Sequence, residues 1–255
     1  MLKRGIELKI DIVWFPEGAK NAAKTGDLLI AVDTLRSSSF ITTALQLGAQ
    51  AIYPIASVEE AFKLAKSLKN VILAGEVNAV KVPGFDIGNS PTALLSLSVK
   101  DKIIVLRTSA GTQVIDSLRK TEAKGVKLLI GCLLNANVLA EYSYNLAKSL
   151  SKDVTIVCSG RGGTDFALED YVAAGAIIEQ YPKGVALTDS ALGSLIAFKG
   201  ALNDGLFKVL KETGSAKRLF EIGAGQDVEF CSQLNKQDVV PMLFDYVIKN
   251  VYGGK

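Results

Sequence analysis

An α/β fold, built from a largely parallel or mixed sheet or sheets flanked by helices, is what the sequence predicts, and three observations carry that expectation. Short apolar runs of strand length recur along the chain, among them LLIAV at 28–32 and KIIVL at 102–106, and such runs suit strands buried on both faces. Stretches with the apolar spacing of helices lie between them, so strands alternate with helices. Each run also discharges into a polar or glycine-rich turn, as in DTLRSSS, RTSAGT and CSGRGGTD, which is where ligands settle in open α/β sheets.

In chain order, residues 6–15 alternate apolar and polar side chains and predict a half-exposed strand, antiparallel at a sheet edge, ended by Pro16 and Gly18. Residues 28–32 are the greasiest strand, 33–39 its exit loop and 40–47 a helix. A strand at 51–55 and an amphipathic helix at 58–68 follow, the helix with acids early and lysines late as its dipole prefers. After a strand at 71–74, the stretch VNAVKVPGFDIGNSP has neither period and reads as a long loop, leading to a helix at 92–97 with Ser90 as cap and Pro91 in the first turn. Strands at 102–106, 128–130 and 154–157 alternate with helices at 113–119, 137–150 and 166–176. The pair ALQLGAQAI and YVAAGAIIE suggests two similar α/β halves. The last third reads as helical over 187–211 with a break near Gly205, a loop over 217–226 and an end-piece round Pro241. The expected organisation is a single compact two-lobed unit, with a catalytic core at about 26–180 and a region at about 181–255 that packs against the sheet and closes the cleft.

Composition narrows the function. The 29 basic and 26 acidic residues are scattered and leave a net charge of +3, which argues against nucleic acid as a partner. No apolar run reaches membrane-spanning length, and the N-terminus lacks a signal-peptide pattern. Cys132, Cys158 and Cys231 are odd in number and far apart, as in a reducing compartment, so a cytoplasmic location is expected. The chain has no histidine. That excludes a histidine phosphoenzyme, Ser-His-Asp and Cys-His triads, and histidine-ligated zinc, and leaves acid–base work to Asp, Glu, Cys, Lys, Tyr or metal-bound water.

The strand-exit loops gather Asp33, Arg36, Ser37 and Ser38; Glu76, Lys81, Asp86, Asn89 and Ser90; Arg107, Thr108 and Ser109; Asn135; and Ser159 and Arg161. Three arginines and a lysine facing one cleft call for a ligand with several negative charges, and carboxylates among them call for a metal. One charge pair at about 4 Å and an effective dielectric near 20 contributes on the order of 4 kcal/mol before desolvation. The implied ligand is a small phosphorylated anion with Mg²⁺, held by Asp33, Glu76 and Asp86 as metal and catalytic carboxylates and by the remaining residues as substrate donors. Asp33 is either the central carboxylate or a cap on the helix that follows. Glu169 and Asp170 read better as acids placed for a helix dipole, and Cys158 and Cys132 as small buried residues rather than nucleophiles.

The segments VDTLRSSSFITTAL, AGEVNAVKVPGFDIGNSP, RTSAGT, GCLLNA and CSGRGGTDFALEDYVAAGA resemble, in order, those of the 2-phosphosulfolactate phosphatases. The resemblance spans roughly residues 33–176. It implies magnesium-dependent hydrolysis of (2R)-2-phospho-3-sulfolactate to sulfolactate and phosphate, on the route to coenzyme M, by a protein that a homodimer would suit. Other phosphatase templates fail on the residues: Leu35 stands where a haloacid-dehalogenase site needs a second aspartate, and Thr164 where a tyrosine-phosphatase loop needs its arginine. A phospho-acid-binding or regulatory protein without catalysis is the alternative, and three retained carboxylates argue against it. A dinucleotide-binding oxidoreductase is weaker still, because GRGG lacks the required glycine spacing.

Overall fold

The computed structural model describes residues 8–108, 111–119 and 125–253. Its strands are β1 (Lys9–Trp14), β2 (Leu28–Val32), β3 (Ala51–Pro54), β4 (Val71–Val77), β5 (Val80–Lys81), β6 (Ile103–Arg107), β7 (Leu128–Gly131), β8 (Val154–Cys158), β9 (Ala186–Leu187), β10 (Pro241–Phe244) and β11 (Val247–Asn250). Its helices are α1 (Phe15–Thr25), α2 (Ser37–Gln46), α3 (Val58–Ser67), α4 (Pro91–Leu94), α5 (Gly111–Arg119), α6 (Ala136–Leu150), α7 (Leu168–Glu179), α8 (Asp189–Asp204), α9 (Leu206–Leu210), α10 (Gly214–Glu221) and α11 (Gly225–Cys231). The expected α/β class is the observed one. All the strands share one mixed sheet in the order β5-β4-β6-β3-β11-β10-β7-β2-β8-β1-β9.

Two parallel blocks make up most of that sheet, β4-β6-β3 and β7-β2-β8-β1-β9. The antiparallel hairpin β10–β11 lies between them, pairing with β7 on one side and β3 on the other. Each of those three contacts reverses direction, so the blocks run in opposite senses along the sheet. Their exit loops nevertheless meet. At about 20–25° of twist per neighbour, the five steps from β2 to β6 rotate the strands by roughly 100–125°. The sheet also curls, because residues of both blocks (Leu29, Ala31 and Ile130; Ile72, Ile104 and Leu106) share one core with Phe40, Ile41 and Ala44 of α2.

β2 and α2 are therefore central, as their composition requires. Leu28, Ile30 and Val32 face a second core, formed with α6, α7 and α8, while Leu29 and Ala31 face α2. This is the period-2 alternation of a strand covered on both faces. Helix α2 is buried from Ser37 to Leu45, and its threonine hydroxyls bond within the helix: Thr42 Oγ1 donates to the Ser38 carbonyl and Thr43 Oγ1 to that of Ser39, both at 2.7 Å. Close packing of α7 on α8 depends on Gly175, where a Cβ would run into the Ser194 carbonyl and approach Phe198 Cβ to 2.8 Å. Gly175→Ala should cost about 1–3 kcal/mol by overpacking. An unchanged urea midpoint would show that the helices can part without cost.

Several expectations are corrected. β1 is parallel to both its neighbours and lies one strand in from the edge. Pro16 and Gly18, expected only to end that strand, sit in the first turn of α1, where proline is well tolerated because its missing N–H has no helical partner. The long loop after β4 opens with a hairpin: β4 runs on to Val77 and pairs with β5 through Asn78 and Ala79, both at positive φ. Residues 217–226, expected as a loop, belong largely to α10 and α11. The cap is Thr213, whose hydroxyl accepts from Ala216 N at 3.3 Å. The end-piece does more than pack against the sheet, since β10 and β11 are strands near its middle. Pro241 is tolerated there at the first position of its strand.

Candidate active site

The exits of β2, β4, β6 and β8 open into one cavity of about 310 Å³, within the size range of small-molecule sites. Of the expected residues, Asp33, Arg36, Glu76, Asn89, Thr108 and Arg161 line it. It is also lined by Glu169 and Asp170 from the first turn of α7, expected only to serve the helix dipole, and by Ser215, Arg218 and Leu219 from α10, which no motif singles out.

Asp33 ends β2 and is only 8 % exposed. Its backbone N–H donates to Ser38 Oγ at 2.9 Å, its carbonyl accepts from Ser38 N at 2.8 Å, and its Oδ1 accepts from Ser37 N at 3.4 Å. The start of α2 is thus turned to Asp33 rather than to a phosphate, and Ser37 and Ser38 hold that aspartate in place. Asp33 caps the helix and lines the cavity at once. Beside it, Asp170 ties two exit loops together: Oδ1 accepts from Thr34 N at 2.8 Å and Oδ2 from Gly160 N at 3.0 Å. Gly160 has φ 73°, and a Cβ there would approach the Asp165 carbonyl to 2.6 Å, so only glycine fits this approach to the carboxylate. Burial raises the Asp170 carboxyl well above the usual range, and the Asp33 and Glu169 charges add to the rise.

Arg36 is buried with Asp227 of α11: Nη1 meets Oδ2 at 2.7 Å, while Nη2 donates to the Ala79 carbonyl at 3.2 Å. Asp227 Oδ1 also accepts from Ser90 Oγ, Thr92 N and Thr92 Oγ1 at 2.6–3.2 Å. Ser90, expected as a substrate donor, is therefore occupied with Asp227 and with capping α4. On the other side, Glu76 Oε2 accepts from Ala79 N at 2.7 Å. Glu76 and Arg36 thus hold both polar backbone groups of Ala79, whose φ of 67° is unfavourable for a residue with a Cβ.

Other expected residues point elsewhere. Asp86 Oδ2 accepts from Leu73 N at 2.8 Å and satisfies the sheet edge. Lys81 Nζ donates to the Phe85 carbonyl at 2.7 Å within its own loop. Asn135 is fully buried and holds Cys132 N and the carbonyls of Ile130 and Val239. Arg107 donates from Nη1 to the Glu76 carbonyl, buttressing the β4 exit from behind. Ser109 lies outside the described residues. Of the expected Asp33–Glu76–Asp86 set, Asp33 and Glu76 line the cavity and Asp86 does not, and among the described residues no three Asp, Glu, Cys or His side chains converge as a metal cage. The thiols of Cys132, Cys158 and Cys231 are buried and raised in pKa, mainly by desolvation. A protonated thiol is a poor nucleophile, and the expectation of inert cysteines stands on that.

Residues 14–245 match the family described as 2-phosphosulpholactate phosphatase. The chain belongs to that family. Among relatives of the 2-phosphosulpholactate phosphatase family, proteins named "Probable 2-phosphosulfolactate phosphatase" come from Carboxydothermus hydrogenoformans (36 % identical over 236 residues, 92 % of each chain) and Caldanaerobacter subterraneus subsp. tengcongensis (36 % over 228 residues, 87 % of this chain and 89 % of the relative). One from Clostridium perfringens is 32 % identical over 253 residues, 97 % of this chain and 98 % of the relative. The family match therefore takes in α10, α11 and β10 as well as the exit loops.

Proposed function

We propose that this cavity hydrolyses the phosphate ester of a 2-hydroxy acid with the help of Mg²⁺, the substrate being (2R)-2-phospho-3-sulfolactate and the products 3-sulfolactate and phosphate. Membership of the family supports the reaction. The observation that carries it is the lining itself: Asp33, Glu76, Glu169 and Asp170 share one small cavity with Arg36, Arg161 and Arg218. A pure anion binder gains nothing from four carboxylates, whereas a phosphatase needs both signs of charge.

The donor set fits a hard divalent cation. Asp33 and Glu169 stand close enough to Asp170 to raise its pKa, a repulsion that a cation relieves, and Mg²⁺ commonly takes one or two carboxylates plus waters and substrate phosphate rather than a full protein cage. Asp33 and Glu169 are the residues we assign to hold it. When bound it would offset charge on the phosphoryl oxygens and lower the pKa of water. The chain's own residues do the rest. Arg36, fixed by Asp227, presents its remaining N–H donors to the phosphoryl group. Asp33 keeps a negative charge beside the reacting phosphorus, and Thr108 and Asn89 supply neutral polar groups. Asn89 Oδ1 is buried without a hydrogen-bond partner among the described residues, so it can accept a hydrogen bond from water or from the 2-hydroxyl of the product.

The helices of the structure include none long and apolar enough to cross a membrane among the described residues. The buried unpaired thiols support a cytoplasmic site of action. Phosphate release from 2-phosphosulfolactate should stop when the protein is stripped with EDTA and return with Mg²⁺ or Mn²⁺. Undiminished release in chelator would remove the metal from the account, and no release under any condition would remove the reaction.

A further inference from the structure

The charges of the cavity are not evenly held. Arg36 belongs to a buried ion pair, which is costly to break. Arg161 and Arg218 are each about half exposed, and among the described residues each pairs with a surface acid on its own segment, Asp165 and Glu221, at 3.2 Å. Exposed pairs of that kind hold only weakly, so both guanidiniums can exchange their partner for a ligand at almost no loss. They also come together in space. Arg161 Nη1 lies against Gly214 at the start of α10, and Arg218 lines the same cavity one turn further on. Helix α10 is anchored there because Leu219 and Ala216 pack with Leu35 and Ala79, the neighbours of Arg36 and of the β4–β5 turn.

Two readily released guanidiniums thus stand where α10 lines the cavity, while Arg36 at the β2 exit is fixed by Asp227. With the phosphoryl group at Arg36 and Asp33, as proposed above, the second anionic group of the substrate is left for Arg161 and Arg218. On the phosphatase reading above, we infer that Arg218, acting with Arg161, is the specificity-determining residue that binds the sulfonate of the substrate. Guanidinium is weakly hydrated and forked, which matches a weakly basic group presenting three oxygens. The carboxylate of the substrate is the competing ligand.

Steady-state kinetics of Arg218→Gln on three phosphate esters separate these cases. With 2-phosphosulfolactate, kcat/KM should fall about tenfold or more, chiefly through KM. With 2-phospholactate, which lacks the sulfonate, it should stay within about twofold, and with 2-sulfoethyl phosphate, which lacks the carboxylate, it should fall as for the full substrate. Equal losses on all three, or none on any, would overturn the assignment, and a loss confined to the two carboxylate-bearing esters would give Arg218 to the carboxylate instead. Glu221→Gln removes the surface acid and should lower KM for the two sulfonate-bearing esters and not for 2-phospholactate. If the parent protein hydrolyses none of these esters, the phosphatase reading fails by itself. Calorimetric titration with 3-sulfolactate still decides the site: weaker binding by Arg218→Gln upholds it, and equal or absent binding in both proteins overturns it.

Discussion

Asp33→Asn should lower turnover of 2-phosphosulfolactate by roughly 10²-fold or more while leaving the melting temperature close to that of the parent. Asparagine has the same size and keeps an oxygen to accept from Ser37 N, as Asp33 Oδ1 does at 3.4 Å. What it loses is the negative charge, which both roles open to Asp33, metal ligand and general base, require. Asp33→Ala separates the structural share: it loses the cap as well and should cost about 1 kcal/mol of stability. Normal turnover by the asparagine variant would reduce Asp33 to a helix cap.

The second large effect is on stability. Asp227→Ala leaves the Arg36 guanidinium buried without its counter-ion and removes the acceptor shared by Ser90 and Thr92. Removing one member of such a pair costs about 3–5 kcal/mol, which for a chain of this size corresponds to a fall of roughly 6–20 °C in melting temperature. Because Asp227 joins α11 and α4 to the β2 exit loop, the loss should also loosen Arg36 and raise KM. A melting temperature within about 2 °C of the parent would show that Arg36 finds another partner or reaches water.

The part of this structure legible in the sequence is the part governed by local physics. LLIAV could only be a strand covered on both faces, Ser90-Pro91 is a helix start by capping and φ alone, and the polar exits of four strands do converge. What was not legible depends on pairing over long distances. Nothing near Asp227 in sequence shows that it meets Arg36, 191 positions away, and nothing near Arg218 shows that α10 folds over the β2 and β4 exits. Pro241-Met242-Leu243 is too short a run to reveal that it bridges two parallel blocks. Asp86, Lys81 and Asn135 have the right chemistry in the right loops, yet each satisfies a backbone group instead. In irregular segments that is the commonest use of a polar side chain. Glu169 and Asp170 were placed correctly in the first turn of a helix. Their helix points that turn into the cavity, a property of tertiary packing rather than of the sequence around them.

On this reading substrate lies between the carboxylates at the β2 exit and two arginines, Arg218 on α10 and Arg161 against its start. A crystal structure with Mg²⁺ and the product 3-sulfolactate tests it most directly. Product should lie inside this cavity, its sulfonate within hydrogen-bond distance of Arg218 and the metal on Asp33 and Glu169. Product bound at any other surface, with this cavity filled only by water, would contradict it.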